Sequence, residues 1–175
     1  MIADFILPAL LVGFLLLAAL WVLVPAFHGL PPVSASRARI RKALQMADLQ
    51  PGETLYDLGA GHGRVLVLAA KEFGANAVGI EVGPVQCAVS WLNAWFGGVR
   101  HRVRIEAGNF YQADLGGADV VFAYLTSGYA SRLQRQLKSQ LKNGARVVAI
   151  SFDFPDWQPS AFDRENLIFL YVMSL

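Results

Sequence analysis

Asp57, Gly59, Gly61, Gly63 and Glu81 are the residues whose types and spacing imply chemistry. They lie in the run Tyr56-Asp57-Leu58-Gly59-Ala60-Gly61-His62-Gly63-Arg64 and at the end of Val78-Gly79-Ile80-Glu81. The pattern predicts an apolar strand over 54–58 that runs into alternating glycines, a helix over 63–73, and a second strand over 76–81 ending in a carboxylate. That is a nucleotide-binding βαβ unit. Glycines let the backbone approach the ligand, and a terminal carboxylate has acceptors for both ribose hydroxyls.

Spacing separates the candidate nucleotides. A dinucleotide site uses G-x-G-x-x-G, with the third glycine beside a pyrophosphate on a helix N-terminus. Here the glycines alternate, and Arg64 stands where that motif has its last glycine. Asp57, two residues before the first glycine, would repel a pyrophosphate but suits a ligand carrying an ammonium and a sulfonium. The expected cofactor is therefore S-adenosylmethionine; a dinucleotide and a loop that has lost binding are the alternatives.

Roles follow from donor and acceptor chemistry. Asp57 would hold the methionine ammonium, directly or through water, or else cap the loop. Gly59, Ala60, Gly61 and Gly63 would wall the methionine and ribose, and Glu81 would accept from the ribose diol. Asn109 and Phe110 would meet the adenine, by amide and by stacking, or form a turn beside a core ring. Methyl transfer asks mainly for alignment of an acceptor lone pair behind the methyl carbon. An amine acceptor must also be neutral, which a partly dehydrated aromatic pocket favours. Tyr124, Phe152, Phe154 and Trp157 could build such a pocket, with Asp153 or Asp156 attracting the incoming ammonium; packing in the core and loops is the plainer reading.

The elements that must position these residues are legible. A helix over 36–47, with Ser34 or Ser36 as N-cap, precedes the Pro51-Gly52 turn. A helix over 84–96 follows the second strand, then a strand over 102–107 and a continuous apolar strand over 118–125, of the kind buried on both faces of a parallel sheet. An amphipathic helix over 128–142 carries Tyr129, Leu133, Leu137 and Leu141 on one stripe and closes at Asn143-Gly144. A strand over 145–152 and a last one near 167–174 complete the chain. Strands alternating with helices predict an α/β fold, a doubly wound, mostly parallel Rossmann-like sheet with its ligand at the carboxyl ends of the strands.

Residues 5–24, FILPALLVGFLLLAALWVLV, contain no charge. As a helix rising about 1.5 Å per residue, that run would cross a hydrocarbon core of about 30 Å. A cleaved signal peptide would need a basic start, and residues 1–4 have no Lys or Arg. The expected organisation is a transmembrane anchor over 1–27, a linker over 28–36 and a catalytic domain over 37–175. Arg37, Arg39, Arg41 and Lys42 follow the span, which places the domain in the cytoplasm by the positive-inside rule. These four would rest on anionic headgroups or form a solvated helix face. A net charge of +2 does not argue for nucleic acid, the single cysteine excludes an internal disulfide, and no Cys/His cluster has metal-ligand spacing.

With these segments placed, the chain resembles class I, seven-strand S-adenosylmethionine-dependent methyltransferases. More narrowly, it resembles the protein-lysine N-methyltransferase family that includes membrane-anchored mitochondrial enzymes and soluble archaeal relatives. DLGAGHGR, AVGIE, ADVVFAYL, GARVV and F-x-x-P-x-W-x-P carry the likeness, over about residues 37–159. The resemblance implies that Asp57, Gly59, Gly61 and Glu81 bind cofactor, that Tyr124 lines the acceptor channel, and that a protein lysine is the substrate. Two departures stand out. Asn109 occupies a position where relatives often carry Asp, and only one strand is legible after the fifth, giving six strands or a displaced last strand. The expected activity is membrane-anchored lysine methylation; a phospholipid amine or lipophilic small molecule as acceptor, or a non-catalytic membrane adaptor, are the alternatives.

Overall fold

The computed structural model describes residues 2–27 and 35–174. Seven strands form one sheet: β1 (Thr54–Leu58), β2 (Asn76–Glu81), β3 (Val103–Ala107), β4 (Val120–Ala123), β5 (Arg146–Ile150), β6 (Ala161–Asp163) and β7 (Ile168–Val172). Their order is β3-β2-β1-β4-β5-β7-β6; β1 to β5 pair in parallel, and β7 pairs antiparallel with both β5 and β6. The six-strand alternative is thus corrected. The missed strand, β6, is a three-residue edge strand hairpinned onto β7.

Helices α1 (Ile2–Phe27), α2 (Arg37–Met46), α3 (Arg64–Glu72), α4 (Pro84–Phe96) and α5 (Ala130–Gln140) surround the sheet. Alternation along the strands sends side chains to two cores. Leu55, Ala77, Val120 and Phe122 pack with Ile40 and Leu44 of α2 and with Leu66 and Ala69 of α3. Tyr56, Val78, Val121 and Val147 pack on the other face with Leu133 and Leu137 of α5. Leu133 and Leu137 bury the α5 stripe as expected, but the helix begins at Ala130, after Tyr129, and stops at Gln140. Leu141 turns extended and buries its side chain, so the Asn143-Gly144 turn leads into β5 instead of capping the helix.

Ser36 is the N-cap of α2, its side chain accepting from the Arg39 N–H at 3.2 Å. Ala35 is buried and its carbonyl accepts from Arg64 Nη1, so the linker expected over 28–36 ends before Ala35; residues 28–34 lie outside the described residues. The transmembrane span expected over residues 1–27 is not found: among the described residues, no helix is long and apolar enough to cross a membrane.

Arg146 fastens the amino-terminal edge of the sheet. Its guanidinium donates to the Ala47 and Asp48 carbonyls, each at 2.9 Å, and pairs with Glu53. One side chain at the start of β5 thereby joins the end of α2 to the turn before β1. Arg146→Met leaves a half-buried carboxylate and two carbonyls without this donor, and is expected to cost about 1–3 kcal/mol. Urea unfolding should show a lower midpoint with an unchanged m-value.

Candidate cofactor and acceptor site

The loop between β1 and α3 is held by β2 and α4. The Gly59 and Ala60 N–H groups both donate to the Ile80 carbonyl, at 2.9 and 3.1 Å, and the Gly63 N–H closes a turn onto the Ala60 carbonyl. Asn93 Nδ2 of α4 donates to the His62 carbonyl at 2.9 Å. Gly59, Gly61 and Gly63 all have positive φ, a backbone conformation that glycine adopts without penalty.

The glycines then diverge in role. A Cβ added at Gly59 or Gly61 would meet nothing within 4 Å, so these two border open space where a ligand can lie. One added at Gly63 would strike Ser90 Oγ of α4 at 2.1 Å. Gly63, expected in the ligand wall, is instead buried where the loop and α4 approach closely. Gly79 likewise has no room for a side chain beside Leu66 and Ala60.

Asp57 and Glu81, at neighbouring strand ends, are both buried. Glu81 accepts from the Gly61 N–H on one oxygen and from the Gly83 N–H on the other, each at 2.8 Å. A carboxylate has about four lone-pair sites, so each oxygen keeps one for a ribose hydroxyl. Burial, with the Glu81 charge adding to it, pushes the Asp57 carboxyl up to about 8. Burial and the same Glu81 charge also raise the Cys87 thiol, whose Sγ lies 3.4 Å from the Glu81 carbonyl.

Asn109 caps a short 3₁₀ turn, Phe110–Gln112, its Oδ1 accepting from the Tyr111 N–H at 3.0 Å. Phe110 is only 2% exposed and packs in the core against Tyr111, so its ring is not presented for stacking. The turn-and-core reading describes this pair as it stands.

The carboxyl ends of β4 and β5 assemble a second cluster. Tyr124, half-buried, follows β4; its hydroxyl accepts from Arg39 Nη1 at 3.3 Å, and the guanidinium carbon lies 5.3 Å from the ring centroid. Arg39 also donates to Ser151 Oγ at 2.8 Å and to the Asn166 carbonyl at 2.7 Å. Ser151 has φ 65°, a left-handed value that costs a non-glycine residue of order 1 kcal/mol or more. Sequence reasoning misses Arg39 as a site residue. Its basic run reads as a solvated or headgroup-facing surface, yet Arg39 is engaged here and Arg41 pairs bidentately with Glu72.

The aromatic pocket proves different in composition. Phe152 and Phe154 are buried core residues, 5.3 Å apart. Trp157, half-buried, packs on Phe154 and Tyr171 at 4.9 and 5.7 Å, while Asp153 and Asp156 are exposed on the same segment. Tyr124 and Arg39 are thus brought together, whereas Trp157 shares a cluster with the core phenylalanines.

Helix α1 reaches the rim of the glycine loop. The Trp21 ring lies 5.6 Å from that of His62, and Gln86 Nε2 donates to the Trp21 carbonyl at 2.8 Å.

Open space beside Gly59 and Gly61, flanked by two buried carboxylates, fits S-adenosylmethionine: one acid for the ammonium and one for the diol. Two outcomes follow. Gly63→Ala is expected to lower stability by about 1–3 kcal/mol through overpacking against Ser90 and the positive φ, read as a lower thermal midpoint. For Asp57, the free protein holds a proton near neutral pH, and an ammonium favours the carboxylate. Cofactor binding should therefore release a proton, and affinity should rise with pH, by up to about tenfold per unit, levelling above about 8. Calorimetry in buffers of different ionisation heat checks this, and Asp57→Asn should abolish the release. The sign for the ligand-free fold is opposite: the stability that the protonated Asp57 contributes is present below the ordinary carboxyl value and is lost as pH rises toward about 8.

Residues 57–161 match the ANTKMT methyltransferase domain family. The chain is 31% identical to a protein-lysine N-methyltransferase of Saccharolobus islandicus, over 82% of this chain and 93% of that one. It is 31% identical to a lysine N-methyltransferase of Xenopus laevis named for an ATP synthase protein (79% and 60% covered). It is 33% identical to the adenine nucleotide translocase lysine N-methyltransferase of Mus musculus (82% and 62%). It spans about three fifths of the length of these two vertebrate relatives. An RNA methyltransferase of Salinibacter ruber, solved with S-adenosyl-L-homocysteine, has the same fold at a TM-score of 0.78 and 33% identity, covering 80% of this chain and 93% of that one. With the seven-strand sheet, the open glycine loop and its paired carboxylates, these likenesses place the chain in the ANTKMT methyltransferase domain family, as a class I S-adenosylmethionine-dependent methyltransferase.

Proposed function

We propose that the protein methylates lysine side chains of membrane-associated proteins and is itself held at the membrane by α1, with residues 37–175 as the catalytic unit on the cytoplasmic side. The observation that carries the lysine reading is the match along nearly the whole of a protein-lysine N-methyltransferase. The vertebrate relatives are named for a protein of ATP synthase and for the adenine nucleotide translocase, which supports a membrane-associated substrate. Support for the anchor comes from the uncharged run 5–24 and from α1 side chains that are apolar yet exposed, Leu7 at 74% and Phe14 at 68% among them. The basic residues after α1 favour the cytoplasmic side. Tethering raises the effective concentration of enzyme near substrates in the same bilayer.

Bound S-adenosylmethionine supplies an activated methyl on a sulfonium. The chain's own residues do the rest. Asp57 receives the ammonium and Glu81 the ribose diol, which fixes the ligand against Gly59 and Gly61. Tyr124, at the end of β4, lines the acceptor channel. Asp153 and Asp156, both exposed, draw in a lysine ammonium, with Trp157 beside them. The amine must lose its proton to attack, and the Arg39 guanidinium over Tyr124 is a fixed positive charge that disfavours a second one nearby. Asn109 remains the residue to meet the adenine, through its amide.

Native membranes incubated with radiolabelled cofactor test the reading. Label should appear in a protein band and map to lysine, and Asp57→Asn should lower it at least about tenfold, the loss of one hydrogen bond to a charged group. Label confined to the organic extract would move the acceptor to a lipid amine. Label in RNA would move it to the substrate for which the Salinibacter ruber protein is named.

A further inference from the structure

Helix α4 is built inside out. The residues it buries are Gln86, Ser90 and Ala94, and those it turns to solvent are Pro84, Ala88, Trp91, Leu92, Asn93, Trp95 and Phe96, all apolar but Asn93. Amphipathic helices on a globular domain bury the apolar stripe. The inversion has a local cause: α4 must lie close to the glycine loop, where Gly63 and Gly83 leave room only for Ser90 and Gln86. That explains the small and polar inner face. It does not explain three large aromatics outside, with Trp91 and Trp95 stacked at 6.5 Å and Phe96 edge-on to Trp95 at 5.0 Å. Phe96 is 76% exposed. A contiguous aromatic patch of this kind marks an interaction site.

We infer that the outer face of α4 is a lipid-docking surface, seated at the headgroup level of the bilayer that α1 enters. Three observations choose lipid as the occupant. The patch is continuous with α1, which packs on α4 and is bonded to it through Gln86 and the Trp21 carbonyl. Its composition is that of a membrane interface, where tryptophan is enriched because its ring is apolar and its N–H is wet. Exposed Arg100 and His101 follow the helix after one turn, placed to meet anionic headgroups. Docking on α4 would fix the orientation of the catalytic domain on the membrane, since the same helix braces the glycine loop through Asn93.

This inference rests on the membrane reading of α1, and the test separates the two. The full chain is reconstituted in vesicles of phosphatidylcholine and phosphatidylglycerol carrying a spin label just below the headgroups. With Trp21→Phe and Trp157→Phe combined, only Trp91 and Trp95 emit; blue-shifted emission and loss of most of it to the spin label are expected. With Trp91→Phe, Trp95→Phe and Trp157→Phe combined, only Trp21 emits. Quenching of Trp21 with Trp91 and Trp95 unquenched would leave the anchor standing and overturn the docking surface. Both sets unquenched would overturn the anchor and the docking surface together. Emission that is blue-shifted, blind to lipid label and lost on dilution would assign the face to a second copy of the chain and overturn lipid docking. A spin label attached through Phe96→Cys, with Cys87→Ser, asks the same question without removing the buried rings: accessibility to oxygen should exceed that to a water-soluble nickel chelate, and the reverse would overturn the proposal.

Discussion

One carboxylate organises the catalytic end of this protein. Glu81 accepts the Gly61 N–H with one oxygen and the Gly83 N–H with the other, which joins the loop after β1 to the loop after β2. Both backbone groups lie where no strand pairing serves them, and a buried N–H without a partner is costly. Glu81 therefore sets the shape of the open space beside Gly59 and Gly61. It also places a second negative charge near Asp57, which adds to burial in keeping that carboxyl protonated. A cationic ligand favours the charged form of that carboxyl and so opposes both effects.

The carboxyl ends of β4 and β5 depend on a different type of contact. Arg39 comes from the helix before the sheet, yet its guanidinium touches residues after β4, after β5 and in the turn between β6 and β7. The antiparallel hairpin is thus tied to the carboxyl ends of β4 and β5 by a side chain more than a hundred residues away. The left-handed backbone at Ser151 sits within this clamp. Strain held by surrounding contacts in this way is found where a site must keep a fixed shape.

Legibility in the sequence follows the range of the interaction. β1, β2 and α4 match their expected bounds because strong local signals delimit them: a Pro-Gly turn, an alternating glycine run and a Gly-Pro helix start. The proximity of Asp57, Gly61 and Glu81 is legible for the same reason, since strand, loop and strand follow directly in the chain. β6 is not, because three residues, Ala161–Asp163, carry too little alternation to register. Gly63 reads as a ligand contact because its actual neighbour, Ser90, lies in a helix nearly thirty residues on. Phe152 and Phe154 read as pocket walls, since an aromatic residue at a strand end looks alike whether it faces a ligand or the core. Arg39 looks like one of four interchangeable cations, and only the folded chain distinguishes it.

The contact between Trp21 and His62 bears on how this enzyme is handled. Trimming the greasy amino-terminal segment is the ordinary route to a well-behaved preparation. Here that cut would remove an indole resting on the glycine loop and strip the buried Gln86 amide of its carbonyl partner. A shortened chain would report the properties of a pocket with a missing rim, so α1 belongs to the architecture around the glycine loop.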